Sequence, residues 1–165
     1  MRIELGQTGD YAVRSVLALA RAGRRLKGRE IASEMDLPEK FLPQVLGALI
    51  KAGLVTSLAG PDGGYALARP AREISLLEVI EASEGPVRSQ KCVLRGGPCR
   101  LDGTCAVHDA WFDAQAALEA KLARTSFAGL RREALRARPG LGRPDEEHAR
   151  SGRAHRAGSR ASRRR

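Results

Sequence analysis

Apolar residues recur with a helical period through the first fifty residues of the chain. Over residues 10–22 they fall three or four positions apart, which predicts an amphipathic helix. A second, shorter helix is predicted over Gly28–Met35, and the Asp-Leu-Pro sequence at 36–38 indicates a turn. A third helix is predicted from about residue 39 to 52, with Gly53 ending it.

The period then changes to that of short strands. Residues 54–58 and 65–68 are predicted as two strands, and the Gly-, Pro- and Asp-containing sequence at 59–64 as the tight tip between them. Helix, helix, turn, helix and hairpin is the order of a winged helix-turn-helix. We therefore predict a mainly α fold with a small β-hairpin wing, in which residues 1–83 form a winged helix-turn-helix DNA-binding domain.

The remaining helices are predicted on either side of a loop rich in Gly and Pro. Ser75 and Glu78 have the spacing of a capping box, which opens a helix directly after the hairpin. After the loop at 84–104, a long helix is predicted to about residue 123, and a last short helix follows it. Residues 84–138 thus form a second region, a loop followed by a long C-terminal helix.

The formal net charge of +10 is unevenly distributed. Residues 139–165 carry half of it, from eight arginines against three acidic residues, and contain no aromatic residue. This composition predicts a disordered, phosphate-seeking tail, although such a tail can also serve only for solubility. The N-terminus lacks the apolar core of a signal peptide, and the apolar stretch at 12–20 is too short to span a bilayer. We therefore expect a cytoplasmic protein with no membrane contact.

The third predicted helix has an apolar face, which would pack on the first two helices, and a basic face. The apolar face consists of Phe41, Leu42, Val45, Leu46, Leu49 and Ile50. Gln44 on the basic face can read adenine, its lysines can contact phosphate or guanine, and the small Gly47 allows close approach in a major groove. Such a face alone is more typical of an ordinary solvated helix, but the hairpin with a glycine-rich tip favours DNA binding. The candidate DNA-binding residues are Lys40, Pro43, Gln44, Gly47 and Lys51 on the helix and Gly60, Gly63 and Gly64 at the tip.

The only three cysteines of the chain lie within seventeen residues, together with a histidine: Cys92, Cys99, Cys105 and His108. Thiolates and an imidazole suit iron–sulfur or zinc chemistry. The cysteines are too evenly spread for a zinc ribbon, and glycines between them let a loop wrap a metal group closely. His108 lies one helical turn after Cys105 and could complete the ligand set. The alternatives are an ordinary surface or core histidine and three reduced structural thiols.

The long C-terminal helix carries an apolar stripe with coiled-coil-like spacing. The chain has too little other core to cover this stripe, which predicts packing against a second copy of the chain in a homodimer. Packing back onto the winged helix of the same chain is the alternative. The predicted dimerisation stripe consists of Val107, Trp111, Ala114, Leu118 and Leu122.

The chain contains five further signals: Gly-Asp-Tyr-Ala-Val-Arg at 9–14, Lys-Ala-Gly-Leu-Val at 51–55, Gly-Pro-Asp-Gly-Gly-Tyr-Ala-Leu at 60–67, Glu-Ile-Ser-Leu at 73–76 and the cysteine–histidine cluster itself. Together these motifs resemble the Rrf2 family of winged-helix transcriptional regulators, over about residues 1–135. The resemblance implies a homodimer with crossed long helices and an iron–sulfur cluster that tunes operator affinity.

Two branches of this family imply different cluster ligands. The IscR-like branch implies a 2Fe–2S cluster held by Cys92, Cys99, Cys105 and His108. The NsrR-like branch implies a 4Fe–4S cluster in some members, with an N-terminal Asp of the other subunit as fourth ligand, a position that Asp10 matches. We favour 2Fe–2S and His108, because imidazole is the softer ligand and His108 neighbours Cys105. Asp10 otherwise interacts with the dipole of the first helix.

The chain departs from the IscR-like pattern at two places. The interval between Cys92 and Cys99 is one residue longer, and Ala59 stands where the wing of IscR-like members has Arg. The leading hypothesis is a DNA-binding transcriptional regulator, acting as a repressor, that senses iron–sulfur status, redox stress or nitric oxide. No nucleotide fingerprint or nucleophile–base constellation indicates an enzyme. The alternatives are a zinc-stabilised DNA-binding module without sensing and a redox or electron-transfer protein.

Overall fold

A computed structural model of the chain describes residues 4–88, 94, 97 and 105–136. The chain divides into two compact units, Met1–Ala134 and Leu135–Arg165, and the elements that carry the candidate site lie in the first. Among the helices in the described ranges, none is both long and apolar enough to cross a lipid bilayer.

The three N-terminal helices follow the predicted order. Helix α1 spans Gln7–Ala22, α2 spans Gly28–Met35 as predicted, and α3 spans Leu42–Lys51 after a 3-10 turn at Glu39–Phe41. Asp36 ends α2 with a φ of 53°. Asp is one of the few residues other than Gly that visit this left-handed conformation, so the turn between α2 and α3 is encoded locally.

The third helix begins three residues later than predicted, because of Pro43. A helix starting at residue 39 would need the N–H of residue 43 to bond to the carbonyl of residue 39, and proline has no N–H. The chain forms a 3-10 turn at Glu39–Phe41 instead. Pro43 then lies in the first turn of α3, where a missing N–H costs nothing.

Two antiparallel strands form the wing. Strand β1, Val55–Leu58, pairs with β2, Gly64–Leu67, along its whole length. Leu26, in the segment between α1 and α2, bridges to Tyr65 through two backbone hydrogen bonds of 2.9 and 2.8 Å. The wing is thereby fastened to the helix-turn-helix.

Three further helices follow the wing, α4 at Leu76–Glu84, α5 at Ala106–Arg124 and α6 at Phe127–Arg136. The predicted capping box opens α4. The hydroxyl of Ser75 accepts the N–H of Glu78 at 3.2 Å, and the carboxylate of Glu78 accepts the N–H of Ser75 at 2.8 Å. Each side chain satisfies an N–H that would otherwise have no partner at the helix terminus.

Helix α1 begins at Gln7, three residues before its predicted start, because a distant side chain caps it. Its N-cap residue, Gly6, has no side chain, and Oε1 of Glu84 at the end of α4 accepts the N–H of Gly9 at 3.0 Å. A Cβ on Gly9 would lie 2.4 Å from that oxygen, so glycine is what lets the carboxylate reach the helix. The start of α1 is therefore joined to the end of α4.

The apolar core lies between α1, α2, α3, α4 and the wing, and it includes the start of α6. Phe127 is fully buried in it, and its N–H donates to the carbonyl of Ile74 at 3.0 Å. The predicted fold class, mainly helical with a two-stranded wing, is confirmed. The largest side chains that are essentially inaccessible are Phe127, Leu19, Ile31, Leu42, Leu46, Leu49, Leu54 and Ile74.

Candidate functional site

The outer face of α3 is polar, cationic and accessible. Leu42, Val45, Leu46 and Leu49 on the inner face are all at most 2% exposed, so the helix is seated firmly on the core. Among the described residues, no carboxylate oxygen lies within 4.0 Å of a lysine nitrogen on the outer face. The five predicted contact residues of this region are all exposed: Lys40, Pro43, Gln44, Gly47 and Lys51.

The centre of this face is open to a close approach. A Cβ added to Gly47 would meet no described atom within 4 Å, so nothing in the fold itself demands glycine there. The Gln44 amide, one turn earlier, offers both a donor and an acceptor. This pair of groups matches the N6 and N7 edge of adenine in a major groove.

Phe41 lies at the edge of this face, although the helical pattern predicted that it packs in the core. Its side chain is 37% exposed, because the 3-10 turn shifts it out of the helical register of α3. Its ring centroid lies 6.1 Å from that of Tyr11 on α1. Nζ of Lys40 lies 4.9 Å from the Phe41 centroid, a cation–π arrangement that holds the ammonium group beside α3.

The three glycines predicted to contact DNA have different surroundings in the wing. Gly60, with a φ of 102°, is exposed at the tip. Gly63 is buried, and a Cβ there would lie 2.3 Å from the carbonyl oxygen of Leu58. Gly64 has a φ of 134°, and a Cβ there would lie 2.4 Å from the carbonyl oxygen of Leu26. The hairpin backbone thus requires glycine at 63 and 64, whether or not DNA is bound.

Arg25 supports the wing, a role that the sequence analysis did not predict. Its Nη1 donates to the carbonyl of Gly64 at 2.9 Å, next to the bridge between Leu26 and Tyr65. A contact over 39 positions has no local sequence signal. Arg25 and Leu26 together fix the wing relative to the helix-turn-helix.

Two of the four predicted metal ligands lie at the start of α5. Cys105 is the N-cap residue of the helix, and its carbonyl accepts the N–H of His108 at 2.9 Å. Both side chains are half-buried. Cys92 and Cys99 lie outside the described residues, and the described residues by themselves contain no group of three potential metal donors.

The imidazole of His108 is held by an aromatic neighbour. Its ring stacks on that of Phe112 with the centroids 4.2 Å apart and an angle of 25° between the planes. The guanidinium carbon of Arg88 lies 5.3 Å from the same Phe112 centroid. This stack fixes the direction of the imidazole, and the helical period alone did not indicate it.

Asp10, the alternative metal ligand, is engaged by an arginine. Its Oδ1 accepts Nε–H of Arg14 at 2.9 Å. Nη1 of Arg14 also donates to the carbonyl of Met35 at 3.3 Å, at the end of α2. The Asp10 carboxylate is thus connected to the helix-turn-helix through a single side chain.

The predicted dimerisation stripe is partly covered. Helix α5 packs against α4, and Trp111 and Leu122 are half-buried. Val107 and Leu118 remain 46% and 37% exposed. These two residues are eleven positions apart, which is about three helical turns, so they share one face.

Comparisons with known proteins agree with this geometry. The Rrf2 family model, described as "Iron-dependent Transcriptional regulator", matches residues 5–133. The HTH-type transcriptional regulator IscR of Escherichia coli O1:K1 / APEC is 34% identical over 113 residues, which cover 67% of this chain and 69% of that protein. The structure of CymR, the global cysteine regulator of B. subtilis, is 25% identical with a TM-score of 0.68, covering 80% of this chain and 98% of that one. The structure of T. potens IscR is 27% identical with a TM-score of 0.65, covering 85% of this chain and 94% of that one.

Proposed function

Because this chain belongs to the Rrf2 family of transcriptional regulators, we propose that it represses transcription by binding a double-stranded DNA operator as a homodimer. We propose further that an iron–sulfur cluster tunes its affinity for that operator. The exposed cationic face of α3 is the observation that carries the DNA-binding part. A repressor works on chromosomal DNA, hence in the cytoplasm, and needs no catalytic residues.

Different residues of the DNA-binding surface contact the bases and the phosphates. Gln44 reads a base edge, while Lys40 and Lys51 contact phosphates on either side of it. The wing tip at residues 59–63 contains no basic residue and carries Asp62, so it attracts phosphate weakly. The arginines of residues 139–165 supply phosphate contacts that this tip lacks.

The homodimer forms through the stripe on α5. An apolar surface exposed on a helix face is more stable when a partner covers it. Val107 and Leu118 are the exposed members of that stripe. A second copy of α5 offers the same two residues, so a two-fold axis lets each stripe cover the other.

The donor set fits an iron–sulfur cluster. Three thiolates and one imidazole are suitable iron ligands, and two of these donors lie on successive turns at the start of α5. The description of the family as iron-dependent supports iron over zinc. A cluster supplies a group that responds to iron supply, to oxidants or to nitric oxide, with 2Fe–2S favoured here. The proposed ligands are Cys92, Cys99, Cys105 and His108.

Asp10 is the alternative fourth ligand, with a 4Fe–4S cluster shared across the dimer. Its carboxylate already accepts a hydrogen bond from Arg14, and this pair would have to break before Asp10 could bind iron. Arg14 would then keep only its contact with the Met35 carbonyl, so the end of α2 would be affected. Among the described residues, His108 forms no ion pair that iron binding would have to break, which favours it as the ligand.

The packing of α5 provides a route from the cluster to α3. The far end of α5 is fixed to the winged helix, because the Thr125 carbonyl accepts the N–H of Leu76 at 2.8 Å and Phe127 is buried in the core. A rearrangement at Cys105 therefore moves α5 relative to α5 of the second copy. This movement changes the spacing of the two α3 helices in the homodimer. The two half-sites of an operator lie about 34 Å apart, so a change in the spacing of the α3 helices alters the affinity for the operator.

Anaerobic purification followed by iron, sulfide and zinc analysis tests the cluster. We expect a brown protein that contains iron and sulfide. Loss of a thiolate exposes iron to solvent, so serine at any one of the three cysteines should bleach the visible absorption. His108→Ala should labilise the cluster and His108→Cys should retain colour, whereas Asp10→Ala should leave the spectrum nearly unchanged. Asp109→Ala, an exposed neighbour in the same turn of α5, is the matched control.

Operator binding, measured by fluorescence anisotropy on the same preparations, tests the regulatory part. We expect the cluster-containing and cluster-free proteins to differ in operator affinity. A colourless protein with bound zinc would replace the proposal with a zinc-stabilised DNA-binding module. A cluster without any effect on operator affinity would point to electron transfer instead. Loss of absorption in Asp10→Ala but not in His108→Ala would show that the ligand assignment is wrong.

A further inference from the structure

A cleft of about 550 Å³ opens at the base of the wing. Its walls come from the last turn of α1, the segment between α1 and α2, the end of β2 and one residue of α6. Apolar lining is provided by Leu19, Leu67 and Pro70. The volume lies in the range of small-molecule pockets. We call it the arginine cleft, after the side chains Arg24, Arg25, Arg69 and Arg131 that line it.

Two of these arginines are neutralised by carboxylates outside the cleft. Nη2 of Arg24 lies 3.0 Å from Oε1 of Glu30, and Nη2 of Arg69 lies 2.8 Å from Oε1 of Glu78. No acidic residue is among the described residues that line the cleft. The positive charge of the remaining arginine pair is therefore not balanced within it.

Arg25 and Arg131 are instead anchored by neutral backbone groups. Nη1 of Arg25 donates to the Gly64 carbonyl at 2.9 Å, and Nη1 of Arg131 donates to the Ala20 carbonyl at 3.2 Å. A guanidinium has five N–H donors, so each retains donors for a ligand. Anchoring reduces the side-chain entropy that each arginine loses on binding. Within the part of the chain that the structure describes, no carboxylate oxygen lies within 4.0 Å of either guanidinium.

We propose that the arginine cleft binds a small organic anion, a carboxylate or phosphate ester with an apolar body. Arg25 and Arg131 hold the anionic group, because guanidinium donors match the oxygens of both anions. Leu19, Leu67 and Pro70 contact the apolar body. An anion held by both arginines joins the wing, through Gly64, to the end of α1 and to α6.

A small ligand fits this site better than a DNA phosphate does. The lining segment Ala66–Ala71 comprises the end of β2 and the residues after it, at the end of the hairpin opposite to the tip. A phosphodiester backbone presents charge and sugar to a protein and gains little from an apolar floor. The cleft combines both kinds of surface in a volume that suits one small molecule.

Calorimetric titration of the full-length, DNA-free protein with phenyl phosphate and with inorganic phosphate tests the site. We expect saturable one-to-one binding of phenyl phosphate, about tenfold tighter than inorganic phosphate because the ring buries apolar surface. Arg25→Gln and Arg131→Gln should each weaken phenyl phosphate about tenfold, because each removes a charge-assisted hydrogen bond. Arg21, on α1, pairs with Glu34 outside the cleft. Arg21→Gln removes the same charge and should leave the affinity for phenyl phosphate unchanged.

Three results would overturn the proposal. Equal affinities for the two anions would mean that the apolar lining is not used. An equal loss in Arg21→Gln and Arg131→Gln would mean that only the general positive charge attracts the anion. Loss of operator affinity in Arg131→Gln without added anion, with phenyl phosphate binding unchanged, would assign this surface to DNA phosphate. Amide chemical shifts of the unmutated protein give an independent decision. Phenyl phosphate should move those of residues 66–69 and of Ala71 and leave that of Gly47 unmoved.

Discussion

Gln44 and Lys40 lie on the same exposed surface but offer DNA different chemistry. If Gln44 reads a base edge, Gln44→Ala should cost about 1–3 kcal/mol of operator binding and relax preference at one base pair. Lys40→Ala should weaken all sequences alike and reduce the slope of log affinity against log salt by about 1. Anisotropy titrations on operator and random duplexes at several salt concentrations measure both. An equal loss for Gln44→Ala on the two duplexes would refute base reading.

At the scale of single residues, sequence reasoning worked where the cause was local. The helical period alone separated the exposed Gln44 and Gly47 from the buried Leu46. It could not explain Gly64, because the atom that excludes a side chain there is the carbonyl oxygen of Leu26, 38 positions earlier. The stack of Phe112 on His108 was also not predicted. It depends on the rotamers of the two side chains, which the helical period does not specify.

The start of α4 shows how one helix terminus is stabilised by charge. Burial raises the pKa of the Glu78 carboxyl, but hydrogen bonds from Arg69 and Ser75 outweigh it and lower the pKa below its ordinary value of 4.5. A carboxyl whose pKa is lowered by folding contributes stability above its unfolded-state pKa and loses it as the pH falls through the folded-state pKa. The contribution of Glu78 should therefore be complete at pH 7 and begin to decline as the pH falls below the unfolded-state pKa, about 4.3 for a glutamate.

Glu78→Gln is the variant that tests this. Glutamine can still complete the capping box, so the loss at pH 7 should be about 0.2–1 kcal/mol, the usual worth of a partly exposed ion pair. Urea unfolding at pH 7, 5 and 3.5 should show a difference from the unmutated protein that persists at pH 5 and shrinks at pH 3.5. Glu73→Gln removes a charge from the exposed pair with Arg72 and is the control. A difference that stays constant at all three pH values would contradict the charge argument.

At the scale of elements, helix bounds were predictable where the stop and start signals are local. The capping box of Ser75 and Glu78 located α4 correctly, and α2 matched at both ends. The start of α1 was missed, because its capping group is the carboxylate of Glu84, 75 positions away from Gly9. No local pattern contains that information, since the pairing exists only after α1 and α4 pack together.

At the scale of the whole molecule, the order of elements was enough to predict a winged helix but not how α5 and α6 are attached to it. Phe127 lies in the core, and a bridge joins Ser75 to Ser126. A single phenylalanine after a long helix carries no signal that it fills a cavity in a domain more than forty residues earlier. Its burial makes α5 a continuation of the winged helix, so a partner that binds α5 also positions α3.

The attachment of α5 to the winged helix links dimer formation to operator binding. Leu118→Glu places a charge in the proposed interface, where it would have to be buried without a partner, and should give monomers by light scattering. Operator affinity should fall together with dimer formation, because two half-sites about one helical turn apart require two linked α3 helices. Ala123→Glu adds the same charge to an exposed position about 140° around α5 from Leu118 and should leave the dimer intact. A Leu118→Glu protein that stays dimeric would mean that another surface holds the two copies together.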